Sequence, residues 1–207
     1  MQLKNSPLLR HTCIRIIIQQ QTRRYEYDAI FIIRISHMRL YLINPGNPMT
    51  SLVNQKSNLT SKLRIWKPLG LLFVASLTPP EWDITIIDEN RKPFDYASME
   101  KPDLVGITAF TSQAARAYKI AEYFRGKGVT VIMGGIHASM CTDEALRFVD
   151  SVVTGEAENV WGNVLEDFCA ARLNKIYRGV HADIKKIPSI RHDLLSGKYF
   201  FGSIQTT

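Results

Sequence analysis

Apolar residues in this chain fall into short, nearly continuous runs, separated by segments in which they recur at helical spacing. The runs predict strands over residues 39–44, 84–88, 104–110, 129–133 and 151–154. Their lack of polar alternation suits strands covered on both faces, as in a parallel sheet. Between them, Pro68 stands at the first turn of a helix running through Leu69, Leu72, Phe73 and Leu77 to the breaker Pro79-Pro80. Residues 111–125 carry Ala114, Ala117, Tyr118, Ala121 and Phe124 at a period of 3.6 and stop at Gly126 and Gly128. A short helix over 142–148 and a closing helix over 159–171 complete the pattern. Five strands alternating with helices predict a doubly wound α/β fold, a five-stranded parallel sheet with helices on both faces.

In such a fold, ligands bind outside the carboxyl ends of the strands. Those ends carry Asn44-Pro45-Gly46, Asp88-Glu89, Thr108 to Ser112, Gly134 to Ser139 and Thr154 to Glu158. A dinucleotide site needs GxGxxG after the first strand, and this chain has N-P-G-N-P there. Asp88, placed where a ribose-binding acid would sit, reads as a solvated turn or cap residue. A phosphoacceptor aspartate after the third strand is replaced by Ala109-Phe110-Thr111. What remains is small and uncharged: hydroxyls at Thr108, Thr111, Ser112 and Ser139, and bare backbone at Gly134-Gly135. Such a surface lets a broad, mostly apolar ligand approach the main chain. A plainer reading stands beside it, in which the glycines permit a tight turn and the hydroxyls cap the next helix. His137 alone reads as a structural histidine rather than a metal ligand.

Charge and cysteine content narrow the classes. The chain of 207 residues carries a formal charge of +7, but residues 1–39 hold seven Lys/Arg against two acids, so most of the excess is terminal. No basic stripe follows, and no nucleic-acid partner is expected. Cys13, Cys141 and Cys169 form neither a disulfide framework nor a CxxC pair for zinc, and Cys141 and Cys169 fall in helical patterns as small buried residues. A reducing, cytoplasmic setting fits, with no transmembrane segment, since the apolar runs are far shorter than the roughly 20 residues a span requires. Residues 1–37 show no capping or turn organisation and read as an extension outside the fold, with Met38 as the functional start.

The ordered set of strand ends carries a resemblance. L-I-N-P, I-I-D-E, V-G-I-T-A-F-T, V-I-M-G-G-I-H-A-S and V-V-T-G-E-A-E, in that order over residues 38–172, resemble the N-terminal cobalamin-binding domain of radical S-adenosylmethionine (SAM) proteins. The resemblance implies a flavodoxin-like (Rossmann-like) domain holding a corrinoid. Its site residues are Asn44, Pro45, Thr108, Phe110, Thr111, Ser112, Gly134, Gly135, His137, Ser139, Thr154, Gly155 and Glu156, with no catalytic or metal-ligating residue among them. It implies a radical SAM barrel in cis, reached through a linker over 173–207 that holds Ile187-Pro188, Tyr199 and a first barrel strand, with truncation before the CxxxCxxC motif of a [4Fe-4S] cluster. That cluster and S-adenosylmethionine would belong to the absent part, so the fragment would not be catalytic alone. Where methionine synthase and mutase domains place DxHxxG, this chain has Asn44-Pro45-Gly46, which implies cobalamin held without a histidine from that loop. Two other functions remain open at this stage: a degenerate domain serving interaction only, and a flavin or nucleotide binder.

Overall fold

The computed structural model describes residues 38–49, 66–181, 188–195 and 199. Six strands make one parallel sheet: β1 (Arg39–Asn44), β2 (Asp83–Asp88), β3 (Leu104–Thr108), β4 (Thr130–Gly134), β5 (Ser151–Thr154) and β6 (Ile176–Arg178). Their order across the sheet is β2-β1-β3-β4-β5-β6. The chain therefore winds outward from β1 in both directions, and the winding reverses between β1 and β3. In open α/β sheets that reversal leaves a crevice at the carboxyl edge.

Side chains alternate between the two faces, as the strand period of two requires. Leu40, Leu42, Leu104, Ile132 and Val153 point to one face, which α1 (Leu69–Leu77) and α5 (Trp161–Cys169) cover through Leu71, Leu72, Ala75, Trp161, Val164 and Leu165. Tyr41, Ile43, Val105, Ile107, Val131 and Met133 point to the other, beneath α2 (Ala114–Gly126), α3 (Gly135–Met140) and α4 (Thr142–Ala145). Apolar residues on both faces explain why the strands read as continuous runs. On α2 the buried set is Ala114, Ala117, Tyr118, Ile120, Ala121 and Phe124, the stripe that its helical period places on one side.

Four details depart from the sequence expectations. The sheet has six strands rather than five, because Ile176–Arg178 pairs in parallel with β5 inside the segment read as linker. The expected helix over 142–148 covers only Thr142–Ala145, and a further short helix, Gly135–Met140, precedes it directly at the strand end. The third strand stops at Thr108 rather than 110, since Thr111–Gln113 already forms a 3-10 turn. Finally, within the segment read as linker, Ile190, Leu194 and Leu195 pack against the face shared by α1 and α5, and Tyr199 donates a hydrogen bond to Asp88 Oδ2 at 2.9 Å. Residues 1–37, 50–65, 182–187, 196–198 and 200–207 lie outside the described residues. Among the described residues, no helix is long and apolar enough to cross a membrane.

Candidate functional site

On the sheet face bearing Leu42, Ile132 and Val153, a cavity of about 210 Å³ opens below α1 and beside the start of α5. Leu71 and Val74 of α1 form one wall and Trp161 another; Thr108, Gly135, Gly155 and Glu156 surround the end nearest the carboxyl edge. The space exists because side chains are missing. At Gly70 of α1 an added Cβ would meet nothing within 4 Å, and at Gly134 it would make ordinary contact with the Val153 carbonyl oxygen at 3.6 Å. At Gly106, midway along central strand β3, it would come within 2.9 Å of Leu42 Cδ2. A glycine inside a central strand weakens it and marks a close approach, here by the Leu42 side chain of the neighbouring strand. Pockets that enclose a whole drug-sized ligand run from about 300 to 1,000 Å³. This smaller cavity therefore suits one buried segment of a larger ligand whose remainder lies over the strand ends.

Two turns shape the mouth. Gly135 has φ +89°, and a Cβ there would sit 2.6 Å from Thr108 Oγ1 and 3.1 Å from the Ala109 nitrogen. Gly155 has φ +71°, and its Cβ would strike the Gly179 carbonyl oxygen. Both conformations are ones that side-chain-bearing residues rarely adopt. The Gly155 amide donates to Ser139 Oγ at 3.0 Å, which ties the end of β5 to α3. The walls are fixed as well: Trp161 Nε1 donates to Thr78 Oγ1 at 2.9 Å, while that hydroxyl donates to the Val74 carbonyl at 2.8 Å. One buried threonine thus holds both apolar walls.

The loop after β1 is pinned by a polar network. Asn90 Nδ2 donates to the Pro45 carbonyl at 3.0 Å, and the Asn47 amide donates back to Asn90 Oδ1 at 2.7 Å. Gln113 Nε2 donates to Asn44 Oδ1 at 3.0 Å and also to the Pro45 carbonyl. Glu89, only 5% exposed, accepts from the Gly46 amide at 3.0 Å, from Tyr96 Oη at 2.9 Å and from both Nε and Nη2 of Arg116. Burial pushes the Glu89 carboxyl up, but the Arg116 guanidinium, the Gly46 amide and the Tyr96 hydroxyl together hold it below its ordinary range. The tyrosine responds in the opposite direction: burial and the adjacent Glu89 charge push the Tyr96 phenol well above its usual range.

The structure brings Thr108, Gly134, Gly135, Gly155 and Glu156 together around the cavity. Asn44 and Pro45 belong to the polar network, and Thr154 Oγ1 approaches the Tyr177 carbonyl at 3.4 Å. Thr111 and Ser112 lie exposed on the 3-10 turn rather than lining the cavity. Phe110 and Ile136, each two residues beyond the end of its strand, are 57% and 60% exposed at the rim. His137 does not reach the cavity; it is buried against α2, with Nε2 2.7 Å from Tyr118 Oη. Asp88 is not a solvated turn residue. It is 6% exposed and accepts from Asn44 and Tyr199 while closing a turn with the Asn90 amide at 3.1 Å. Cys141 is half-buried and Cys169 exposed, where both were expected to be buried.

Gly70, Val74, Gly106 and Trp161 were not among the expected site residues. Only Gly106 had a local signal, a glycine inside an apolar strand run. The other three lie away from the strand ends in sequence and reach the site through packing.

The B12 binding domain family matches residues 58–165, just over half of the chain. Bacteriochlorophyllide d C-8(2)-methyltransferase of Chlorobaculum tepidum is 40% identical over 124 residues, 59% of this chain and 26% of that protein. The C-12(1)-methyltransferase of the same organism is 33% identical over 128 residues, 60% of this chain and 27% of that protein. An uncharacterized methyltransferase of Pyrococcus horikoshii is 33% identical over 116 residues, 51% of this chain and 25% of that protein. The matched region spans about a quarter of the length of these curated relatives.

Proposed function

The chain belongs to the B12 binding domain family, and from that premise we propose that it binds cobalamin with the nucleotide tail inserted in the cavity between the sheet and α1. The observation that carries this reading is the cavity itself, cleared by Gly70, Gly106 and Gly134 and lined by Leu42, Val74, Ile132 and Trp161. A flat aromatic base fits an apolar slot of this kind, and the cavity's size leaves the macrocycle outside, over the carboxyl edge. There, exposed Phe110 and Ile136 offer apolar surface to a large flat ring. Asn44, Pro45 and Gly46 are held in place by hydrogen bonds and carry no imidazole, so this stretch would support the ring and would offer cobalt no histidine.

When bound, cobalamin supplies a cobalt centre able to carry a methyl group. We propose that the complete protein is a methyltransferase in which a radical SAM barrel, with its [4Fe-4S] cluster and S-adenosylmethionine, acts in cis on that centre. The sequence resemblance and the similarity to much longer methyltransferases support this reading. It predicts CxxxCxxC in the coding DNA after Thr207; an intact locus without that motif contradicts the barrel but not the corrinoid site.

Titration of the chain with hydroxocobalamin, followed by visible absorbance, tests the binding itself. The Gly70→Leu variant fills open space on an exposed helix position, so it should fold as the parent does and bind at least about tenfold more weakly, the effect of removing roughly 1.4 kcal/mol. Equal binding by parent and variant places the tail elsewhere. A spectrum changed by flavin and unaffected by hydroxocobalamin contradicts the corrinoid reading.

A further inference from the structure

Away from the cavity, the segment joining α3 to α4 carries a second constellation. One ring nitrogen of His137, the Cys141 sulfur and a Glu144 carboxylate oxygen lie within 4.8 Å of one another. His137 lies on α3, Glu144 on α4, and Cys141 at the junction that turns the chain from one to the other. His137 Nε2 faces Glu144 Oε1 at 4.0 Å, and Tyr118 Oη lies between them, 2.7 Å from the imidazole and 3.1 Å from the carboxylate. The His137 ring is 2% exposed, yet its Nδ1 has no partner among the described residues. Cys141 is a free thiol, half-buried beside them.

We infer that His137, Cys141 and Glu144 form a binding site for a thiophilic divalent cation of the zinc class. Imidazole, thiolate and carboxylate are the three donor types that zinc takes, at about 2.0–2.3 Å each, which sets ligand atoms roughly 3.3–3.7 Å apart in a tetrahedron. The present trio must contract by about 1 Å to reach that spacing. His137, locked in the core, is the fixed ligand. Glu144, whose side chain is 51% exposed, and half-buried Cys141 are free to rotate onto the ion. Tyr118 is then left to donate to the Glu144 carboxylate and orient it, the arrangement by which outer partners fix a metal ligand. The fourth position faces solvent and takes water. The ion would staple two helices of six and four residues, lengths that do not hold as helices alone. Because α3 begins at Gly135, the staple also fixes one edge of the cavity mouth.

The full chain, stripped of metal and free of cobalamin, is titrated with Co²⁺ and then with Zn²⁺ in competition. The expected result is one equivalent bound, a thiolate-to-cobalt absorption band displaced by Zn²⁺, and a melting temperature raised by Zn²⁺. Cys141→Ser should abolish the band, and both Cys141→Ser and Glu144→Gln should weaken Zn²⁺ binding at least about tenfold, the least that loss of even an outer partner costs. Circular dichroism verifies that each variant is folded, and Glu144 is exposed enough that its variant keeps the parent fold. The Cys13→Ser/Cys169→Ser double variant should retain the band. Absence of saturable binding, or binding that persists in Cys141→Ser or Glu144→Gln, overturns the site and leaves Tyr118, His137 and Glu144 as a hydrogen-bonded strut.

Discussion

Gly134 and Gly135 are adjacent in sequence but do different physical work. Gly134 ends β4 in an extended conformation with room for a Cβ, whereas Gly135 turns the chain at φ +89° against Thr108 and Ala109. Gly134→Val should therefore stay folded and lose hydroxocobalamin affinity, because its branched side chain projects into the cavity. Gly135→Val should lose stability by about 1–3 kcal/mol from backbone strain, before its contact with Thr108 is considered. Chemical denaturation of both variants checks the split, and equal destabilisation contradicts it. A glycine pair after a strand was visible in the sequence as bare backbone. The division of labour was not, because it depends on φ and on what a neighbouring strand places opposite.

Thr78 gives a second test at the same scale. It accepts from Trp161 and donates to Val74, so Thr78→Val keeps the shape and removes both bonds. The buried indole N–H is then unsatisfied, a loss of about 1–3 kcal/mol in unfolding free energy. Affinity for hydroxocobalamin should fall with it, since the two cavity walls are no longer tied. Unchanged stability would show that the bond to Trp161 contributes nothing net.

Among the elements, the strands were the most legible part of the chain, because burial on both sides of a parallel sheet writes itself as an unbroken apolar run. The bounds of β1 and β5 agree with their runs residue for residue. Ile176–Arg178 escaped because three residues carry too little pattern and an edge strand needs only one buried side chain, here Tyr177. The polar network after β1 and β2 escaped for another reason. Its members, Asn44, Glu89, Asn90, Gln113 and Arg116, come from three separate segments, and nothing local marks them as partners. Within it, Glu89 has a folded-state pKa below its ordinary value of 4.5. Its contribution to stability is therefore fully present above that value and is lost as pH falls through the lowered folded pKa. Unfolding free energy measured from pH 6 downward should decline in that acid window, and Glu89→Gln should flatten part of the decline. An identical slope in parent and variant contradicts the assignment.

For the whole molecule, the reversal of winding between β1 and β3 and the glycine-cleared floor of the sheet act together. The first leaves a crevice at the carboxyl edge, and the second extends it downward between the sheet and α1. A ligand matched to that shape has a broad part above and a narrow part below. Equilibrium binding of hydroxocobalamin compared with cobinamide, the corrinoid lacking the nucleotide tail, measures this directly. The account predicts that cobalamin binds at least about tenfold more tightly than cobinamide, equivalent to roughly 1.4 kcal/mol or more from the buried tail, and that Gly70→Leu erases the difference. Equal affinity of the parent for the two corrinoids would contradict it.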